Sequence, residues 1–324
     1  MDRKVSNSMK LEPRSAIAGK VTIITGASSG IGEATAREFA VAGAITILAA
    51  RRAERLERLA QEIREMGGVA LPVPTDLTDP QQTANLVTET LDNFGRIDIL
   101  ANIAGYGHYD WFEELTTENL RKPYEVNIIG MAELIRQVLP TMKSQRSGFI
   151  LNMSSYASKI AVPPLTVYAS TKAAVESLTD GLRRELAPWG ITVIRIHPSA
   201  VTGTEFKEKA IADGGVTYRT LPIGRVSRER VAREIVHLIE HPRRSLFVSR
   251  LYDVALVLDA VFPAFVDWNS INWVRGKRRK EMSSSTEPAP VTYSDYFSPI
   301  PYAMLTLGFV IARMFLKKNS KRNS

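Results

Sequence analysis

Between Val21 and Ile24 the chain is apolar and β-branched, the pattern of a buried strand. Gly26, Gly30 and Gly32 follow at once, and Ile31, Thr35, Phe39 and Ala42 recur at helical spacing. Residues 44–50 are a second apolar run. Residues 51–66 are charged, with Leu56, Leu59 and Ile63 on one side, which predicts an amphipathic helix ended by Gly67 and Gly68. A third strand is predicted at 69–73, a helix from Asp79-Pro80 to Phe94, and a fourth strand at 97–101. The alternation continues with a mostly helical stretch at 117–143, strands at 149–153 and 191–196, and a long helix at 167–186 between them. Residues 199–222 read as irregular, 227–240 as a helix and 245–248 as a last short strand. Strands and helices alternating through short links predict an α/β fold with a doubly wound parallel sheet.

Past residue 250 the pattern changes. Residues 251–273 are strongly apolar but are broken by Asp253, Asp259, Pro263 and Asp267. Trp268 and Trp273 stand just before a basic run at 275–280. Residues 281–290 are polar and read as a flexible linker, and 299–316 are apolar apart from Arg313. Three regions are therefore expected: a flexible N-terminus at 1–15, one folded domain at 16–250, and an apolar and basic C-terminal extension at 251–324.

Charge sharpens the reading of the ends. The net charge is +8, yet residues 16–250 carry 28 basic against 26 acidic side chains. A nucleic-acid binder carries its basic face on the folded body, so no nucleic-acid partner is expected. Basic clusters beside apolar runs suit an anionic membrane surface; a solvated, solubilising tail is the alternative. The stretch 299–316 has 18 positions including an arginine, and a spanning helix needs about 20 apolar residues. Lys317, Lys318, Lys321 and Arg322 would stay cytoplasmic, and one crossing would then put the folded body outside. Attachment to the cytoplasmic face of a membrane is the favoured expectation. For 251–273, capping a cleft or an oligomer contact is the competing one. The absence of cysteine excludes disulfides, thiolate metal sites and a thiol nucleophile. It fits a reducing compartment. Residues 1–18 lack the apolar centre of a secretory signal, and a cytoplasmic location is expected.

The glycine turn carries the first candidate chemistry. A helix that begins there presents free backbone N–H groups and a partial positive charge, which suits a pyrophosphate. Its spacing is Gly-x-x-x-Gly-x-Gly, and a purely structural turn is the alternative. Tyr168 and Lys172 are four apart in the long helix and share one face. An ammonium beside a phenol favours the phenolate and lowers its pKa toward the range useful for proton transfer. Ser155 falls at the carboxyl end of a predicted strand, the edge where open α/β sheets bind ligands. An amphipathic pair on a solvated helix is the bland alternative for Tyr168 and Lys172.

Taken together, residues 16–250 resemble the short-chain dehydrogenase/reductase family. The matching pieces are Thr25-Gly26-Ala27-Ser28-Ser29-Gly30-Ile31-Gly32, Asn102-Ile103-Ala104-Gly105, Asn127, Ser155 and Tyr168-Ala169-Ser170-Thr171-Lys172. The resemblance implies a single Rossmann-type domain that binds NAD(P) and moves a hydride between the nicotinamide and a carbonyl or alcohol carbon. It implies Asn127, Ser155, Tyr168 and Lys172 as the catalytic set. Tyr168 would exchange the proton, Ser155 would hold the substrate oxygen, Lys172 would lower the tyrosine pKa and bind the nicotinamide ribose, and Asn127 would hold a relay water. Cofactor contacts are expected from Gly26, Ser28, Ser29, Gly30, Ile31, Gly32, Arg51, Asp76, Leu77, Asn102, Ala104, Gly105, Tyr168, Lys172, Pro198 and Thr202. No metal is expected, since two hydrogen-bonding groups already meet the substrate oxygen. A homo-oligomer is expected as well.

Three residues depart from the family pattern: Ile103 where a second asparagine is usual, Ser199 where a glycine is common, and Pro123 inside the helix leading to Asn127. The second strand ends in Ala50-Arg51-Arg52, without the acidic residue that holds a ribose 2′-hydroxyl in NAD-binding members. An arginine there suits a 2′-phosphate, so NADP(H) is expected over NAD(H). The alternative is that both arginines merely start a charged helix. His108, His197, His237 and His241 show no metal-ligand spacing with carboxylates. The substrate is expected to be a lipophilic carbonyl or secondary alcohol, an inference from the tail. A membrane-associated dinucleotide-binding scaffold without turnover is the second reading.

Overall fold

A computed structural model describes residues 15–212, 216 and 224–281, apart from the side chains of 212, 250 and 277–281. The segments expected at residues 1–14, in the linker past 281 and at 299–316 lie outside the described residues. The chain divides into two units, residues up to Tyr252 and residues from Asp253 onward.

The first unit is built on strands β1 (Val21–Thr25), β2 (Ile45–Ala50), β3 (Val69–Pro74), β4 (Ile99–Asn102), β5 (Gly148–Met153) and β6 (Ile191–His197). Helices α1 (Gly30–Val41), α2 (Ala53–Glu65), α3 (Pro80–Phe94), α4 (Thr117–Tyr124), α5 (Met131–Gln145) and α6 (Thr166–Leu186) connect them. Strands β7 (Val201–Thr202) and β8 (Val226–Ser227) form a small parallel pair, with α7 (Phe206–Ala212) between them in the chain. Helix α8 (Arg228–Glu240) and strand β9 (Ser245–Phe247) complete the unit. The main sheet is parallel throughout, in the order β3-β2-β1-β4-β5-β6-β9.

Successive strand side chains point to opposite faces. Ile24, Leu48 and Leu151 therefore join one core cluster with Phe39 and Ile235, under α1, α2 and α8. Ile23, Ile47 and Ile150 join the other with Leu86 and Leu134, under α3 and α5. Burial on both faces explains why these strands read as continuous apolar runs. Local signals set the helix ends. The Asp79 side chain accepts from the backbone of Gln81 at 2.9 Å, Pro80 opens α3, and Gly95 closes it with φ at +68°. The sheet order reverses between β1 and β4, which opens a crevice at their carboxyl ends.

Two features differ from the sequence expectation. Residues 199–222 contain β7 and α7. Two-residue strands are too short for any periodic signal, and the Phe206–Ala210 spacing of α7 stands alone. Pro123, which lacks an N–H and crowds the preceding turn, does not break the long helical stretch. Instead α4 passes into a π-turn at Glu125–Gly130 before α5 begins.

In the second unit, α9 (Arg250–Val261) starts at the boundary and α10 (Pro263–Glu281) follows after Phe262. Among the described residues no single helix is long and apolar enough to cross a membrane. Segments Leu251–Val261 and Pro263–Gly276 pass that test only together, bent by 107°.

Candidate active site

Beyond the carboxyl ends of β1, β2, β4, β5 and β6 lies a cleft of about 590 Å³. The β1–α1 turn forms its floor at one end. Gly26 takes φ +71°, and a Cβ there would sit 2.9 Å from the Ala104 backbone, so the turn closes only with glycine. At Gly32 a Cβ would run into the Gly26 carbonyl. Helix α1 has Ser29 at its N-cap with no side-chain cap bond, leaving its first amides facing the cleft for an anion. These features fit the diphosphate of a dinucleotide.

At the far end, Ser155, Tyr168 and Lys172 converge. Ser155 follows β5 as the N-cap of a short turn, and its Oγ accepts from the Ala157 amide at 3.1 Å. It is also hydrogen-bonded to the Tyr168 phenol. Lys172 lies one helical turn beyond Tyr168, with Nζ 5.8 Å from the ring centroid and donating to the Met153 carbonyl at 2.8 Å. Both side chains are buried. Burial pushes the Tyr168 phenol up to about 12 against the lowering effect of Ser155, and burial pushes the Lys172 ammonium down to about 8. The net direction at Tyr168 is upward, and burial sets it. Desolvation dominates both groups.

The structure gathers nearly all the expected site residues on this cleft. Gly26, Ser28, Ser29, Gly30, Ile31, Gly32, Arg51, Asp76, Leu77, Ala104, Gly105, Ser155, Tyr168, Lys172, Pro198 and Thr202 line it. Asn102 and Asn127 stand behind the wall. Asn102 Nδ2 donates to Asn152 Oδ1 at 2.9 Å, joining β4 to β5. Asn127 sits in the π-turn. Its Oδ1 accepts from the Tyr106 amide at 2.8 Å, and its Nδ2 donates to the Tyr106 carbonyl and to Thr171 Oγ1, both at 2.9 Å. It thus clasps the loop after β4 to α6. The departures find local roles. Ile103 is buried in the core, with its amide donating to Thr25 Oγ1 at 3.0 Å. Ser199 Oγ donates to the Gly224 carbonyl at 2.8 Å.

At the arginine end the two side chains differ. Arg51 is mostly exposed, 4.0 Å from Asp76. Arg52 turns inward: its Nη2 donates to Ser28 Oγ at 3.0 Å and Ser29 Oγ at 2.7 Å, and its Nη1 to Glu205 Oε2 at 3.0 Å. Hydrogen bonds from Lys209, Arg55 and Arg52 hold the Glu205 carboxyl well below the usual range.

Sequence reasoning named Arg52 only beside Arg51, and it did not single out Glu205, Phe206 or Glu176 as individual residues. Phe206 packs on Tyr168 with ring centroids 5.5 Å apart. Glu176 lies one turn beyond Lys172, a spacing that was visible in the sequence. It accepts from Ser158 and Lys159, and its Oε1 is 2.8 Å from Nε2 of the buried His197. Burial opposes its charge, but these donors prevail and hold it down at about 2. The reading of the histidines needs one correction. His237 and Glu240 at the end of α8 and His241 at its C-cap have ligand atoms within 4.8 Å of one another. They are not part of the cleft lining.

Comparison with known proteins agrees with this geometry. A family model described as short chain dehydrogenase matches residues 20–214. An uncharacterized oxidoreductase of Staphylococcus saprophyticus is 35% identical over 229 residues, covering 70% of this chain and 92% of that one. The alcohol dehydrogenase of Thermococcus sibiricus, complexed with 5-hydroxy-NADP, is 29% identical with a TM-score of 0.63, covering 72% of this chain and 97% of that one. A 7α-hydroxysteroid dehydrogenase complexed with NADH and 7-oxo glycochenodeoxycholic acid is 29% identical with a TM-score of 0.65, covering 72% and 94%.

Proposed function

This chain belongs to the short-chain dehydrogenase family, and from that premise we propose that it is an NADP(H)-dependent reductase of lipophilic carbonyls, working at a membrane surface. The observation that carries the proposal is the convergence of Ser155, Tyr168 and Lys172 at one end of a cleft whose other end is a glycine turn flanked by arginines. A nicotinamide held in this cleft would supply or accept the hydride. Ser155 holds the substrate oxygen through its hydroxyl. Tyr168, whose phenol keeps its proton at neutral pH, gives that proton to the oxygen as charge develops there. Lys172 places a cation one turn away that stabilises the phenolate left behind, and Asn127 holds the loop at Tyr106 that borders the reacting end.

The cofactor preference rests on Arg51, exposed beside the end of β2 with no acidic residue at Ala50. The solved neighbours hold either cofactor, 5-hydroxy-NADP in the alcohol dehydrogenase and NADH in the 7α-hydroxysteroid dehydrogenase, so the preference stands on the arginine alone. The substrate class is supported by the 7α-hydroxysteroid dehydrogenase, whose complex holds 7-oxo glycochenodeoxycholic acid. The membrane surface is supported by exposed Val254, Val257, Phe262, Phe265 and Trp268 on and between α9 and α10, followed in the sequence by the basic run 275–280. A cytoplasmic location is the setting this reading implies. Nicotinamide fluorescence titration tests the cofactor half. NADPH should bind more tightly than NADH, and Arg51→Ala should cost about 1–3 kcal/mol of NADPH binding with little effect on NADH. Equal losses for both cofactors would count against the reading.

A further inference from the structure

Glu205, at the entry to α7, reaches into the arginine pair that opens α2. Its Oε2 is 3.0 Å from Arg52 Nη1 and its Oε1 is 2.7 Å from Arg55 Nη1. Lys209, one turn along α7, places Nζ 2.8 Å from Oε2. Arg52 is held in turn by the hydroxyls of Ser28 and Ser29 in the glycine turn. One carboxylate therefore sits among three cations, at the end of the cleft that also carries Ala50 and Arg51. Its neighbours keep the segment in place. A Cβ on Gly30 would lie 3.3 Å from Thr204, and Phe206 packs against Tyr168.

Three cations around a single carboxylate leave positive charge uncompensated. A phosphate monoester carries about −1.5 to −2 near neutral pH and three acceptor oxygens. It matches two guanidinium forks better than a carboxylate does. Two anions within contact of the same guanidiniums repel each other, so phosphate and carboxylate exclude one another there.

We propose that Glu205 is a cofactor-specificity residue: its carboxylate fills an anion subsite built by Arg52 and Arg55, and a 2′-phosphoadenosine group displaces it on binding. The proposal rests on the reading of this end of the cleft as a 2′-phosphate site. It adds a residue that works against the phosphate, supplied from the opposite wall. The wild-type chain thus discriminates between phosphorylated and unphosphorylated adenosine less than its arginines alone would allow.

The test uses the full chain with two probes, adenosine 2′,5′-bisphosphate and adenosine 5′-monophosphate, titrated by calorimetry. Wild type should bind the bisphosphate more tightly. Glu205→Gln should tighten the bisphosphate by about tenfold, the scale of one charge-assisted hydrogen bond, and leave the monophosphate within about twofold. Glu205→Ala serves as a second variant, with thermal melts to show that each folds, and should act in the same direction. Arg55→Ala should weaken the bisphosphate selectively. Unchanged or weakened bisphosphate binding in both folded Glu205 variants would overturn the proposal while wild-type selectivity kept the 2′-phosphate reading. A wild type that binds both probes alike would overturn that reading and the proposal with it, and this outcome is read from the wild type alone.

Discussion

Replacing Glu176 with glutamine should destabilise the domain in a pH-dependent way, with a size that follows from its surroundings. The carboxylate is buried beneath the segment that carries Ser155, and it is met by His197, Lys159 and Ser158. Burial alone would raise its pKa; the donors bring it instead from 4.5 to about 2. One pKa unit corresponds to about 1.4 kcal/mol, so the ionised form contributes about 3 kcal/mol to folding at neutral pH. The sign is that of a depressed acid. The contribution is complete above the unfolded pKa and is lost as pH falls through the folded one. Linkage leaves about 1 kcal/mol of it at pH 3. Glutamine keeps one acceptor oxygen but turns an amide toward groups that themselves donate. Urea unfolding of wild type and Glu176→Gln should therefore differ by about 3 kcal/mol at pH 7 and by about 1 kcal/mol at pH 3. A gap that stays the same at both pH values would refute the electrostatic account and leave packing as the cause.

Lys172 gives the opposite sign. Its folded pKa is depressed from 10.5 to about 8, so the fold carries the cost of a buried ammonium below pH 8, and wild-type stability should rise with pH between 8 and 10.5. Lys172→Met, which removes that charge but also the bond to the Met153 carbonyl, should gain about 1–2 kcal/mol at pH 7, an advantage gone above the unfolded pKa, and should lose turnover; thermal and urea melts across that range check it. Truncation after Tyr252 should release the protein from membranes and leave nicotinamide binding intact, because the cleft-lining residues all precede Asp253. Vesicle flotation of full-length and truncated chains, with and without anionic lipid, reads the first half; full-length protein that never floats would remove the membrane reading.

Much of the fold was legible because its signals are local. The two-sided burial of β1 and β2 appears as unbroken apolar runs, and Asp79-Pro80 and Gly95 mark the ends of α3 within the sequence itself. The glycine turn and the Tyr168–Lys172 spacing were readable for the same reason, and both face one cleft. What stayed hidden depends on contacts between distant residues. Arg52 and Glu205 are 153 positions apart, and nothing in either segment announces the other. The β7–β8 pair is two residues long, below any periodicity. The inward turn of Arg52 and the outward turn of Arg51 separate two adjacent identical residues by backbone direction alone. Sequence spacing reports the proximity of Tyr168 and Lys172 but not their burial, which raises the phenol and lowers the ammonium.

The central claim is that the cleft moves a proton through Tyr168 while hydride passes between NADP(H) and a lipophilic carbonyl. The direct measurement is nicotinamide absorbance during turnover of the full-length chain with a panel of lipophilic ketones, beside Tyr168→Phe with its cofactor affinity measured in parallel. The account predicts ketone-dependent oxidation of NADPH by wild type, a loss of about 10²–10⁴-fold in Tyr168→Phe, and unchanged NADPH binding in that variant. Tight cofactor binding with no ketone-dependent oxidation across the panel, or a Tyr168→Phe variant as fast as wild type, would contradict it.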